Sequence, residues 1–489
     1  MLKKIGYGVA GLLIALIATV GLVFWMLTPP GLSVPKQKDR MITGVTVWNP
    51  GQAAIEDQTL VIRDGVILDI RDTQAGDEAP ICAGCFVMPG LIDAHVHTPP
   101  KLAIGNQRLF SLLYLKYGVT TVRDLGQFDD SIPALARKLN NGKMVGPRMY
   151  RCGPILGGDP PKTPGGVAVL SEEDGAAIVR KLADEAVDCI KVYDGLPEAA
   201  FTGISAQAAA LDLPLIGHTP HSVKMSDIRD FESQHYTGIP YLHRNAPKGW
   251  AYKSEDLMNL TPDEVAEVIG VMTANSIAFL PTNANHVARL TVSDPARFPA
   301  SDGLRHMPDF WQIAWPSIVS HPETEAEIEI ELRGIPAALD FARQAQLGGV
   351  DVLVGTDVVM PYVVPGESLH LQLEIFADVF GSSETALHAA TAINGKHIDK
   401  GKIGRLQTGA FADMLIFEND PRNDLNSVQN WYMLMAGGRL YTRDYIDRSV
   451  ARYDRHFRGA FYSSVLNFAY SQIAGDYEGT GVARHDVED

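Results

Sequence analysis

Pro89-Gly90-Leu91-Ile92-Asp93-Ala94-His95-Val96-His97 is the stretch on which the reading of the fold turns. Its largely apolar run predicts a strand over 91–97. In a strand, residues i and i+2 share a face, so His95 and His97 point into one site. Imidazole is a common ligand of zinc and related metals, although two such histidines are also ordinary surface or core residues. Downstream, strands alternate with helices. Strands are predicted over 119–125, 148–156, 189–193, 213–218, 277–281 and 352–357. Helices are predicted over 108–117, 132–139, 171–187, 198–211, 261–275, 335–346, 369–380 and 383–391. Ser171 is placed to cap its helix ahead of acids in the first turn, and Thr261-Pro262-Asp263-Glu264 reads as a capping box. A shorter, ambiguous helix–strand unit ends near residue 242. The alternation amounts to about eight βα units, the count of an α/β TIM barrel.

Strand-like segments return on both sides of this region. Residues 45–48, 60–63 and 66–68, with Asp64-Gly65 as a hairpin turn, pair with 411–417 and 432–441 in a predicted β-sandwich built from both ends of the chain. The expected organisation is 1–40 anchor and linker, 41–85 and 401–445 sandwich, 86–400 barrel, and 446–489 tail with a helix over 449–473. Residues 5–27 contain no charge and follow Lys3 and Lys4, which predicts an N-terminal transmembrane helix acting as an uncleaved anchor. A short tail before a large body then predicts an exported domain, periplasmic or extracellular. The net charge of −16, from 42 basic and 58 acidic side chains, argues against nucleic acid as a partner. Of the four cysteines, Cys82, Cys85, Cys152 and Cys189, the first two have CxxC spacing, as in redox motifs or half a zinc site, but with no second CxxC and no thioredoxin-like context they read as two packed or free thiols.

Three further residues sit where a barrel carries its chemistry, at the C-terminal ends of strands. Lys191 lies inside an apolar strand, where a lone ammonium is costly unless it pairs with an acid or loses its charge. His218 ends the fifth strand and Asp357 the eighth. Each has an ordinary structural reading, a salt-bridged lysine or a helix cap, but with His95 and His97 they form a set.

The chain resembles the amidohydrolase superfamily, and within it the imidazolonepropionase-like and prolidase-like group, over about residues 40–445. The resemblance rests on motifs in family order: FVMPGLIDAHVHT (86–98), YGVTTVRDLG (117–126), GPRMYRCGPIL (146–156), IKVYDG (190–195), GHTPHSV (217–223), FLPTNAN (279–285), VLVGTD (352–357), ALHAATAINGKHI (386–398) and GRLQTGAFADMLIF (404–417). It implies two divalent metal ions, usually zinc. His95 and His97 would hold the first, and Lys191, carboxylated by CO₂, would bridge both. His218 and a sixth-strand histidine would hold the second. Asp357 would bind the first and shuttle protons. The family expects the sixth strand to end in Glu-His. Gln234-His235-Tyr236-Thr237-Gly238 has the closer flanks but follows His218 at a short distance, whereas His243 would end the strand if 226–237 formed the missing helix.

The implied reaction is hydrolysis of an amide or small-peptide carbon–nitrogen bond by a metal-bridging hydroxide, with Asp357 as base and then acid. Tyr193 is placed to donate to the oxyanion, and His221 less so. Ester hydrolysis on the same site, or a non-catalytic anchored binding protein, are the competing readings. Specificity is expected in the insertion 283–336, where Trp311 and Trp315 are candidates for a lid wall, and a homo-oligomer stays open.

Overall fold

The computed structural model describes residues 2–82, 84–243, 254–318 and 324–480. Parallel segments close into a ring in chain order. Leu91–Val96 pairs with Val119–Asp124, which pairs with Arg148–Arg151. That third segment breaks at Gly153-Pro154 and resumes as Ile155–Gly157, so the single strand expected over 148–156 is two. Ile190–Val192, Leu215–Gly217, Phe231–Gln234 and Ile277–Leu280 follow, each parallel to the last. Residues 351–358 complete the ring, bridging Phe279 through Val352 and Val96 through Val358.

Helices fill most connections, and their ends are set by local chemistry. The Ser171 side chain accepts from Asp174 N ahead of Glu172–Asp184. Thr261 and Glu264 form the expected capping box ahead of Pro262–Ala274. Glu172–Asp184 lies so close to Glu198–Ala210 that a Cβ on Gly203 would collide with the Glu172 carbonyl. Between the fifth and sixth ring strands there is only a single 3₁₀ turn, Met225–Asp227. No helix of ordinary length is missing there; the connection is simply short.

The ends of the chain meet in one sheet. Its order is Arg439–Thr442, Met433–Ala436, Met414–Phe417, Phe86–Pro89, Arg40–Val47, Ile55–Arg63, Val66–Asp72. The sheet folds back until Val66 bridges Phe411, and it encloses its own core of Ile42, Leu60, Ile62, Val87, Met414 and Ile416. It is thus continuous through hydrogen bonds, where two stacked layers were expected. The tail forms two helices, Arg443–Phe457 and Ala460–Thr480, where one was expected; they part at Arg458-Gly459.

Two expectations are overturned. Among the described residues no helix is long and apolar enough to cross a membrane. The N-terminal helix spans Leu2–Leu27. Its end also belongs to the folded body: Leu27 is 3% exposed within the main core, and His456 Nε2 donates to its carbonyl at 3.1 Å. The transmembrane helix, the membrane contact through residues 5–27 and the anchored, periplasmic or extracellular placement are corrected accordingly. Cys82 and Cys85, read as thiols, form a disulfide with each other, and Cys152 and Cys189 form a second. Neighbouring ring strands bring Cys152 and Cys189 to a Cα separation of 4.3 Å, inside a small core with Leu125 and Ile216.

Candidate active site

The strand ends converge on a cavity of about 300 Å³ lined by His95, His97, Lys191, Tyr193, His218, His235 and Asp357. His95 and His97 leave the first strand on one face, their ring centroids 5.4 Å apart. His235 ends the sixth strand, 5.1 Å from His95 and 4.9 Å from His218 between ring centroids. His243 lies outside the cavity, exposed, with Nε2 2.8 Å from Glu267. The short 3₁₀ connection is why the strand end falls at 235. Tyr193 stacks on His218 at 4.2 Å, and burial pushes its phenol up. His221 is half-buried beside the loop, with its backbone N–H on the Asp194 carbonyl at 2.8 Å. Trp311 and Trp315 do not line the cavity and are buried in the main core.

His95, His97 and Asp357 each offer a ligand atom, all within 4.8 Å of one another. Asp357 Oδ1 lies 3.1 Å from His95 Nε2 and 3.3 Å from His97 Nε2. Both His95 ring nitrogens and Asp357 Oδ1 are buried without a hydrogen bond. Buried polar atoms are nearly always satisfied, so a histidine with neither nitrogen engaged fits a metal ligand. The other three histidines are tethered at Nδ1: His97 to the Gly126 carbonyl at 3.2 Å, His218 to Asp194 at 2.5 Å, and His235 to Thr282 at 2.5 Å. Each tether leaves Nε2 for the cavity, the arrangement that orients imidazole toward a cation.

The backbone supports this convergence. Asp357, His235 and Thr282 have φ of 61°, 56° and 48°, left-handed values that cost non-glycine residues about 1–3 kcal/mol each and that gather at functional sites. Gly355 passes so close to the first strand that a Cβ would lie 2.7 Å from His95 N. Asp93 ties the same two segments together, accepting from Thr356 Oγ1 at 2.6 Å and Thr356 N at 3.0 Å. Burial raises the Asp93 carboxyl to about 7.

Electrostatics follow from the dry setting. Burial pushes His95 down to about 3 and His235 well below its usual range, so both rings are neutral, as ligands must be. Asp357 is held well below the carboxylate range: burial alone would raise it, but His95, His97 and His235 outweigh that. Lys191 is 1% exposed and has no acidic group within 4 Å among the described residues. Burial lowers its amine to about 8, against the pull of Asp357 and Glu232. Glu232 is itself engaged by Arg123, whose Nη1 donates at 3.0 Å.

Several participants were not read from the sequence. Asp194 sits within the quoted motif IKVYDG, and a carboxylate three residues after the lysine was a usable signal. Thr282 and Asn285 lie in FLPTNAN; Asn285 Nδ2 donates to Asp357 Oδ2 at 2.8 Å. His286, Arg289 and Lys162 also line the cavity and carried no local signal.

A ring of parallel strands with histidines, a buried lysine and an aspartate at one end defines a class of hydrolase. Residues 86–441 match the family described as the amidohydrolase family, and the chain belongs to it. It is thereby a hydrolytic enzyme of the kind that acts on carbon–nitrogen bonds. Among curated proteins, a 5-methylthioadenosine/S-adenosylhomocysteine deaminase of Halobacterium salinarum is 43% identical over 65 residues, 13% of this chain and 15% of that protein. Among solved structures, bottromycin amidohydrolase is 21% identical with a TM-score of 0.67, covering 89% of this chain and 93% of its own. A Xaa-Pro dipeptidase with methionine in its active site is 17% identical with a TM-score of 0.59, covering 83% of this chain and 100% of its own.

Proposed function

We propose that the protein hydrolyses amide bonds of small N-acyl amino acids or dipeptides, with two divalent metal ions, zinc by preference, as cofactors. The observation that carries the reading is the meeting of four histidines, Lys191 and Asp357 at one cavity, with His95 and Asp357 Oδ1 unsatisfied and the other histidines tethered through Nδ1. His95, His97 and Asp357 would hold one ion, His218 and His235 the other, and Lys191, carboxylated on its amine, would serve both. Carboxylation also answers the burial of Lys191, since a carbamate facing cations replaces an unpaired ammonium. When bound, the ions supply acidified water and polarise the scissile carbonyl.

The remaining work falls to the side chains. Asp357 presents Oδ1 toward His95 and His97, while Asn285 fixes Oδ2 at 2.8 Å. Asp357 takes the proton of the attacking water and delivers it to the leaving nitrogen. Tyr193, stacked on His218 and un-ionised, donates its hydroxyl proton to the developing oxyanion. The products are a carboxylic acid and an amine. The dipeptidase and amidohydrolase among the structural neighbours put peptide-derived amides first in a screen. The test is hydrolysis of a panel of dipeptides and N-acyl amino acids by zinc-loaded enzyme. Stoichiometric release of amine and acid is expected; no release from any member would overturn the reading.

A further inference from the structure

We infer that the Cys152–Cys189 disulfide is a positioning cross-link for Lys191, and that the cavity's hold on zinc depends on the bond between the two sulfurs. This rests on the metal-ligand role given to Lys191 above and adds what fixes that residue in place. The third and fourth ring strands are tied together on either side of the cross-link. Below it, Asp188 N donates to the Arg151 carbonyl and Arg151 N to Asp188 Oδ2, both at 2.8 Å. Above it, Ile155 pairs with Lys191 and Leu156 with Val192, and Tyr193 N donates to the Leu156 carbonyl at 2.9 Å. Between these points one strand has residues 152–154 and the other only 189–190. Such a mismatch is a bulge, which bends a strand and re-aims the side chains beside it. Inside it the backbone bonds lead to the outer neighbours. Cys152 N donates to the Asp124 carbonyl at 3.0 Å, and Ile190 N to the Pro214 carbonyl at 2.9 Å. The disulfide, with its Cα atoms 4.3 Å apart, joins the two strands there.

Its place in the barrel connects it to the site. Cys189 precedes Lys191 by two residues, on the same face of an extended segment, and Ile216 stands in the same way before His218. Cys152 and Cys189 are 0% and 1% exposed and share a small core with Leu125 and Ile216. Gly126, next to Leu125, supplies the carbonyl that tethers His97 Nδ1. This core is therefore the floor under Lys191 and His218, and it borders His97. Interiors are close-packed and transmit strain. Unbonded sulfurs cannot approach as closely as bonded ones, so an open disulfide forces the two strands apart at the bulge. Lys191 then shifts against the histidines on the other strands, and a ligand shared by two ions tolerates little displacement. The other disulfide is an internal control. Cys82 and Cys85 are three positions apart in sequence, and Cys85 packs in the core of the terminal sheet rather than along the cavity.

The experiment measures the zinc dissociation constant by chelator competition for wild type, Cys152→Ala/Cys189→Ala and Cys82→Ala/Cys85→Ala, each with and without Lys191→Ala. Thermal unfolding of the metal-free proteins checks the fold. Cys152→Ala/Cys189→Val, which keeps more of the packed volume, decides the matter if the alanine pair does not fold. Loss of Cys152–Cys189 should weaken zinc binding between about tenfold and a hundredfold, as loss of a group that orients a metal ligand does. It should also diminish the carbamate signal that labelled bicarbonate gives in the NMR spectrum of wild type. With Lys191→Ala already in place, the same loss should change zinc binding by no more than about twofold, because the cross-link acts through Lys191. Loss of Cys82–Cys85 should leave zinc binding as it is in wild type. Zinc binding unchanged without Cys152–Cys189, or weakened equally in the Lys191→Ala background, would overturn the inference and leave the hydrolase reading intact. The expected pattern in a protein that cleaves no amide would uphold the inference and put only the hydrolase reading at fault. A wild type that binds no zinc would overturn both.

Discussion

Lys191 is the residue whose surroundings are hardest to explain as structure alone. An ammonium 1% exposed, with no acidic partner within 4 Å among the described residues, is a poor way to build a core. Under the proposed role, Lys191→Ala removes a ligand and its charge, so bound metal should fall below two ions per chain and turnover should vanish. Lys191→Arg should do no better, because guanidinium stays cationic and cannot be carboxylated. Metal analysis of both variants checks this, and near wild-type content in Lys191→Arg would remove the bridging role. His370 gives an independent, pH-dependent test away from the site. It is buried, donates from Nε2 to the Tyr117 carbonyl at 2.8 Å, and burial lowers it to about 4. The unfolded chain, near 6.5, binds that proton first. Stability should therefore fall as pH drops from about 6.5 to about 4, by up to about 3 kcal/mol from this group. His370→Gln should flatten that part of the melting-temperature profile; an unchanged slope would deny the assignment. At this scale, His95, His97, His218 and Asp357 were legible because strand period and strand ends are written in local sequence. Glu331 was not: it meets His286 from 45 residues away, a contact only folding makes.

Helix ends were legible for the same local reason, and two examples mark the boundary. The capping box at Thr261 is read from four residues and forms as read. Thr261→Ala should cost about 1 kcal/mol, seen as a lower melting temperature with kcat unchanged, since the helix Pro262–Ala274 contributes no cavity residue. The helix over 335–346 was read too short. It starts at Glu325 under a second capping box, Thr324 with Glu327, and runs through Pro336 to Leu347. A proline argues for a boundary, but here the packed face wins: Ile328, Ala338, Phe341, Ala342 and Ala345 are buried along one helix. The cysteine pairing was illegible because Cys152 and Cys189 meet through adjacent ring strands, 37 residues apart in sequence.

For the whole molecule, the N-terminal segment illustrates how composition can mislead. An uncharged run predicts a membrane helix, yet its C-terminal end and the linker after it are part of the body. Arg108 Nη1 donates to the Pro29 carbonyl and Tyr445 Oη to the Ser33 carbonyl, both at 2.7 Å, and Leu27 is buried. Deleting residues 1–26 should leave the melting temperature near wild type. Deletion through residue 35 should cost on the order of 4 kcal/mol, from one buried leucine and three hydrogen bonds, that of His456 to the Leu27 carbonyl included. Equal melting temperatures for the two deletions would show that these contacts do not hold.

The strand-end cluster is proposed here as a two-metal hydrolytic site. Its most direct test is to strip the protein with chelator, add zinc stepwise, and follow the rate of dipeptide hydrolysis against equivalents bound. A two-metal site gives a silent stripped protein whose rate climbs and levels off at two zinc ions per chain. A rate indifferent to stripping and to added metal would contradict it.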